Sequence, residues 1–152
     1  MKLKQITDCL ESFAPLVYQE NYDNAGLIYG SYDMDITGAL ICLDSTEAVV
    51  EEAISLGFNL IIAHHPIVFS GIKKLNGKNY VERVLIKAIQ NNIAIYAAHT
   101  NLDNVYNGVN AKIAEKLGLI NCCVLAPQKG GLKKLVTFCP EGKAEEVRAA
   151  LF

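Results

Sequence analysis

Tryptophan is absent from this 152-residue chain, and histidine occurs only three times. Charge of one sign is also lacking: 14 basic and 16 acidic residues leave a net charge of −2. Such a balance gives no overall field to draw in nucleic acid. Lys129, Lys133 and Lys134 form a small basic cluster that reads as a solvated face. No apolar run approaches the ~20 residues of a membrane span. After Lys2 and Lys4 come Gln5, Thr7 and Asp8, where a signal peptide would need an apolar core. The five cysteines are odd in number and form no C-x-x-C pair. Free, mostly buried thiols in a reducing cytoplasm are therefore expected. There is no P-loop, G-x-G-x-x-G, G-x-S-x-G or zinc-finger spacing, which removes support for the phosphate-loop, dinucleotide and serine-hydrolase classes.

What is present is a core. The chain is 51% hydrophobic and 20% charged, the balance of one globular domain, or of one domain and part of another. Leu3, Ile6, Leu10 and Phe13 mark a helix that Pro15 ends, with Thr7 and Asp8 on the opposite side. Gly26 to Gly30 reads as a short strand. Gly38 to Leu43 reads as a fully buried one, followed by a helix to Gly57 capped by Asp44 or Ser45. Leu60 to Ala63 is the next buried strand, so residues 38–63 form a strand–helix–strand unit with a parallel crossover. Pro66 to Asn79 is a long loop, the kind that tends to be functional. A helix over Tyr80 to Asn91, a third buried strand over Ile93 to Ala98 and a helix over Val109 to Leu117 follow. Beyond Asn121, strands are expected over Cys122 to Ala126 and Leu132 to Cys139. Pro127 to Gly131 reads as a hinge and Lys143 to Phe152 as a helix. A strand and a helix cannot bury a core alone, so residues 127–152 read as the start of a second module. The expected fold is α/β, a three-layer α/β/α arrangement on a largely parallel or mixed sheet.

The chemistry gathers at strand ends. The three strands expected to run parallel end at Asp44, at His64-His65, and at His99 with Asp103. Ligands of open α/β sheets sit beyond the carboxyl ends of the strands, so these residues converge on one rim. Adjacent side chains leaving a strand point apart, which makes one ion shared by His64 and His65 awkward. Two ions ~3.5–4 Å apart suit the spacing better. Asp103 would add an anionic ligand, and imidazole with carboxylate suits Zn²⁺, Fe²⁺ or Mn²⁺ rather than Ca²⁺. His99 reads as a group that orients water or a leaving group rather than as a ligand. Asn101 and Asn107-Gly108 argue that Asp103 lies on a loop. Asp44 reads first as a helix cap, and Asp23 and Asn24 as turn residues.

Tyr22 to Leu27, Ala63-His64-His65-Pro66, Ala98 to Asp103 and Gly108-Val109-Asn110 occur in an order that resembles the NGG-interacting-factor-three-like family, also called GTP cyclohydrolase I type 2 homologues. The likeness covers residues 1 to about 125. It implies a dinuclear centre in which His64 and His65 bind different ions and Asp103 is a further ligand. It also implies a late histidine and glutamate, and no histidine follows His99 here. Many members carry an inserted PII-like or CutA-like module, which residues 127–152 resemble at its start, with 1–126 belonging to the metal-binding domain. The family further implies a cytoplasmic toroidal homohexamer and a metal-dependent hydrolase acting on GTP or a related nucleotide. The alternative is a non-catalytic metal-binding regulatory or scaffold protein. Neither a membrane nor a nucleic-acid partner is expected.

Overall fold

The computed structural model describes residues 1–127 and 135–151. The chain divides into two units, Met1–Ile120 and Asn121–Phe152.

The first unit is built on a four-stranded sheet in the order β1 (Gly26–Tyr29), β4 (Ala94–Ala97), β3 (Leu60–His65), β2 (Ala39–Asp44). Strands β2, β3 and β4 run parallel, and β1 pairs antiparallel with β4. The fold is thus mixed α/β. Alternation along each strand divides the core in two. Ile61 and Ile95 face helices α2 (Glu47–Leu56) and α3 (Tyr80–Gln90), where Val50, Ala53, Val84, Leu85 and Ala88 close the packing. Leu60, Ala94 and Tyr96 face the other way and pack with Leu3 of helix α1 (Leu3–Phe13). Each fully buried Val, Leu or Ile contributes about 1.5–3 kcal/mol through loss of apolar surface to water, so these two clusters hold the sheet rigid beneath its rim.

Local chemistry explains the helix ends. Thr46, not Asp44 or Ser45, caps α2: its hydroxyl accepts from the Val49 N–H at 3.3 Å. Gly57 ends the helix at φ 67°, a conformation that favours glycine. Asn79 caps α3 in the same way, accepting from the Glu82 N–H at 2.9 Å. The helix α5 (Val109–Lys116) ends beside Gly118.

Several expectations are corrected. Strand β2 is an edge strand, and Ile41 and Leu43 are 79% and 60% exposed. Only its Leu40 and Cys42 face meets the core, so an apolar run is not a fully buried strand. Thr7 is buried although it belongs to a mostly polar face of α1. Its hydroxyl is satisfied by donating to the Lys4 carbonyl at 3.0 Å. Cys9, Cys122, Cys123 and Cys139 are exposed and Cys42 is half-buried, all as free thiols. The tight turn of residues 100–103 is a short helix, α4 (Thr100–Asp103), not a loop. Asn101 does not break it because its side chain is turned inward, donating to the Ala14 carbonyl at 2.7 Å.

In the second unit, a 3₁₀ turn (Glu141–Lys143) leads into helix α6 (Ala144–Leu151). Residues 122–126 and 135–139 carry no strand; a strand needs a neighbour to pair with, and none lies beside them among the described residues. The rest of the expected strand, the hinge from Gln128 onward and the basic cluster fall outside the described residues. Among the described residues no helix is long and apolar enough to cross a membrane.

Candidate metal centre

The rim at the carboxyl ends of β2, β3 and β4 brings His64, His65 and His99 together. One ring nitrogen from each lies within 4.8 Å of the others. Ring centroids are 5.0 Å apart for His64–His65, 5.4 Å for His64–His99 and 5.6 Å for His65–His99. The rings of the two neighbours are inclined at 48°. They leave opposite faces of β3 but both lie at its last turn, where the strand ends and the rings can lean over the rim.

Each imidazole is held by its Nδ1. His64 Nδ1 donates to the Ala98 carbonyl at 2.8 Å, which requires the proton on that nitrogen. His65 Nδ1 meets Asp44 Oδ1 at 2.8 Å. His99 Nδ1 meets Asp23 Oδ1 at 2.8 Å. An acceptor on Nδ1 fixes the tautomer and leaves the Nε2 lone pair open. Three histidines, each with Nδ1 against a carbonyl or carboxylate and with one ring nitrogen within 4.8 Å of the others, have the donor set of a divalent metal site. The residues therefore fit a divalent metal ion.

Asp103 stands at the margin. Its Oδ1 is 4.0 Å from His64 Nε2, and its side chain is 35% exposed. It arrives there through α4, whose first turn is closed by Leu102 and Asp103 N–H groups donating to the His99 carbonyl at 2.8 and 3.3 Å. His99, expected only to orient water, lies as close to the cluster as either neighbour.

Asp23 and Asp44 have the sequence character of a turn residue and a helix cap, and tertiary structure sets each against a histidine of the cluster. Asp44 is in register with His65 across the parallel β2–β3 pair, so both side chains leave the same face. Asp23 is wholly buried at its side chain. Its Oδ1 also accepts from the Asn24 N–H at 2.6 Å, and Oδ2 accepts from the Thr100 N–H at 3.1 Å and from the Thr100 hydroxyl. Burial by itself pushes the Asp23 carboxyl up. The hydrogen bonds from Thr100, His99 and Asn24 outweigh it and hold the carboxyl below its ordinary value. The available sequence signal was an Asp-Asn pair ahead of a strand, which many turns share.

A parallel-sheet rim carrying three oriented histidines and nearby carboxylates defines an α/β protein with a candidate metal centre. Comparison with known proteins names the family. Residues 1–151 match the model of the Duf34/NIF3 (NGG1p interacting factor 3) family, and the chain belongs to that family. A GTP cyclohydrolase 1 type 2 homolog of Staphylococcus epidermidis is 39% identical over 99% of this chain and 41% of its own length. The Bacillus subtilis protein of the same name is 41% identical over 97% of this chain and 40% of its own. The crystal structure of a Bacillus cereus protein related to NIF3 superposes with a TM-score of 0.80 at 40% identity, covering 99% of this chain and 42% of the other. The chain thus spans about two-fifths of the length of these relatives.

Proposed function

We propose that His64, His65 and Asp103 hold a pair of divalent metal ions, Zn²⁺, Fe²⁺ or Mn²⁺, in a metal-dependent hydrolase acting on GTP or a related nucleotide. The observation that carries this reading is the common orientation of the three imidazoles, each with Nδ1 engaged and Nε2 open. A bound divalent ion supplies Lewis acidity, polarising a substrate oxygen and making water acidic enough to attack near neutral pH. The chain's own part is positional. Asp44 and the Ala98 carbonyl keep His65 and His64 in one tautomer. Asp23 keeps a proton on His99 Nδ1, so His99 Nε2 accepts a proton from water or steers a leaving group. The Pro66–Asn79 loop borders the rim through Phe69, whose ring meets the His99 ring edge-on.

The nucleotide substrate rests on the names of the relatives, as does the whole protein's activity, because this chain spans only part of their length. A cytoplasmic homo-oligomer, hexameric as the family resemblance implies, belongs to the same proposal.

The near-equal spacing of the three rings favours a second reading of one residue, in which His99 is itself a ligand. Metal analysis of His99→Ala separates the two. Retained metal with lost turnover supports the orienting role, and lost metal supports ligation. The alternative for the whole protein is a non-catalytic metal-binding scaffold. The deciding experiment loads the full-length protein with Fe²⁺, Mn²⁺ or Zn²⁺ and assays a panel of nucleotides. Turnover abolished in His65→Ala supports the hydrolase. Turnover that survives in His65→Ala overturns it, and metal binding without turnover of any nucleotide leaves the scaffold.

A further inference from the structure

A cavity of about 730 Å³ opens one residue beyond His65, within the usual range for small-molecule sites. The segment from Pro66 to Glu82 forms its described walls. Three lysines, Lys73, Lys74 and Lys78, line it. None of their ammonium groups is in an ion pair or hydrogen bond among the described residues; of the other described lysines, Lys2, Lys4, Lys87, Lys112 and Lys143 have carboxylate partners and Lys116 has none. Glu82 is the one acid among the lining residues, and its carboxylate is engaged by amide groups of the same segment rather than by a lysine ammonium. It is only 9% exposed, and its carboxylate accepts the Asn76 N–H at 3.1 Å, the Lys78 N–H at 3.0 Å and the Asn79 side-chain amide at 2.9 Å. The cavity is therefore cationic by composition, and its acid serves as a strut.

The cradle is also built rather than slack. Glu82 ties down its far end. At the near end, the Asn24 side-chain amide donates to the Val68 carbonyl at 2.7 Å. Phe69 belongs to both places: it lines the cavity and meets the His99 ring edge-on, with centroids 6.3 Å apart.

We propose that this cradle binds the phosphate-bearing end of the substrate, a phosphate monoester or diphosphate, through Lys73, Lys74 and Lys78, while the rest of the molecule reaches the histidine rim across Phe69. The second half of that statement rests on the metal-site reading; the anion site stands without it. Lysine recognises phosphate as a point charge, and Lys73, Lys74 and Lys78, all exposed along one concave segment, attract a polyanion together.

The test titrates the metal-free 152-residue chain with pyrophosphate and follows its amide NMR signals. Saturable binding that perturbs residues 70–80 is expected, weakening as salt is raised. Lys74→Ala should weaken it roughly tenfold, and joint replacement of Lys73, Lys74 and Lys78 by alanine should abolish it. Arginine at the same three positions should restore it, and Lys112→Ala on α5 should leave it unchanged. Absence of saturable binding, equal binding by the triple alanine variant, or shifts confined to another surface would overturn the proposal. A parallel Zn²⁺ titration keeps the two readings apart. Loss of zinc binding with pyrophosphate binding intact removes the metal centre and not the cradle, and the reverse removes the cradle alone.

Discussion

Replacing Asp23 by alanine should cost about 2–4 kcal/mol of folding stability, a figure that follows from what its carboxylate holds. Four donors end on it: the Asn24 N–H, His99 Nδ1, the Thr100 N–H and the Thr100 hydroxyl. A hydrogen bond to a charged group contributes about 1.5–3 kcal/mol net, and a buried donor left without a partner costs about 1–3 kcal/mol. The bonds share one acceptor, so they do not add. Water can also reach part of the space vacated, since His99 next to it is 18% exposed at its side chain. The lower part of the summed range is therefore appropriate. Asp23→Asn keeps the shape but points an NH₂ at donors, and should fall between the wild type and alanine. Urea denaturation at pH 7 measures both. The pH dependence provides the sign. The folded carboxyl is held below its ordinary value, so its contribution is complete above the unfolded-state pKa and is lost as pH falls through the folded one. The gap between wild type and Asp23→Asn should then narrow on acidification. A cost below about 0.5 kcal/mol for Asp23→Ala, the range of ordinary surface changes, would refute this account. So would a gap that stays constant down to the acid limit of folding.

Three other outcomes are expected. Asp44→Ala should leave the fold intact but lower metal affinity by about 10–100-fold, since it removes the carboxylate on His65 Nδ1; a cobalt titration checks this. Gly108→Ala should destabilise the unit by more than about 2 kcal/mol, because a Cβ there would lie 1.9 Å from the Leu102 carbonyl oxygen. Thermal melting would show it, and a wild-type midpoint would contradict the clash. Glu82→Gln should make the Pro66–Asn79 loop more sensitive to limited proteolysis at neutral pH. Backbone N–H groups of Asn76 and Lys78 hold the Glu82 carboxyl below its ordinary value, so the wild-type loop should itself loosen as pH falls through that lowered value, and the difference between the two proteins should vanish there.

The elements were largely legible because their signals are local. A helical stripe of Val81, Val84, Leu85 and Ala88 places α3, and Asn79 with its N-cap chemistry starts it. Runs such as Leu60 to Ala63 place strands by composition alone. Burial was less legible. Gly38 to Leu43 has the composition of a core strand, and only its position at the sheet edge exposes Ile41 and Leu43. Cap choice failed by one or two residues at α2, because Asp44, Ser45 and Thr46 all have cap-forming side chains and tertiary contacts decided among them. Asp44 is drawn to His65, leaving Thr46 at the helix start.

The sequence by itself determined that two adjacent histidines close a buried strand, that a third follows the next strand, and that parallel strand ends share a rim. These are consequences of period, composition and chain direction. It also carried enough of the family's motif order to place the chain among its relatives. Tertiary structure alone decided which nitrogen each histidine presents, because that depends on partners remote in the chain. Asp44 reaches His65 through strand register. Asp23 reaches His99 through the antiparallel return of β1 against β4. The Ala98 carbonyl meets His64 where two parallel strands end side by side. A hydrogen bond across 21, 76 or 34 positions leaves no local signal in sequence, and only folding brings the adjacent pair and the distant third imidazole into one oriented set.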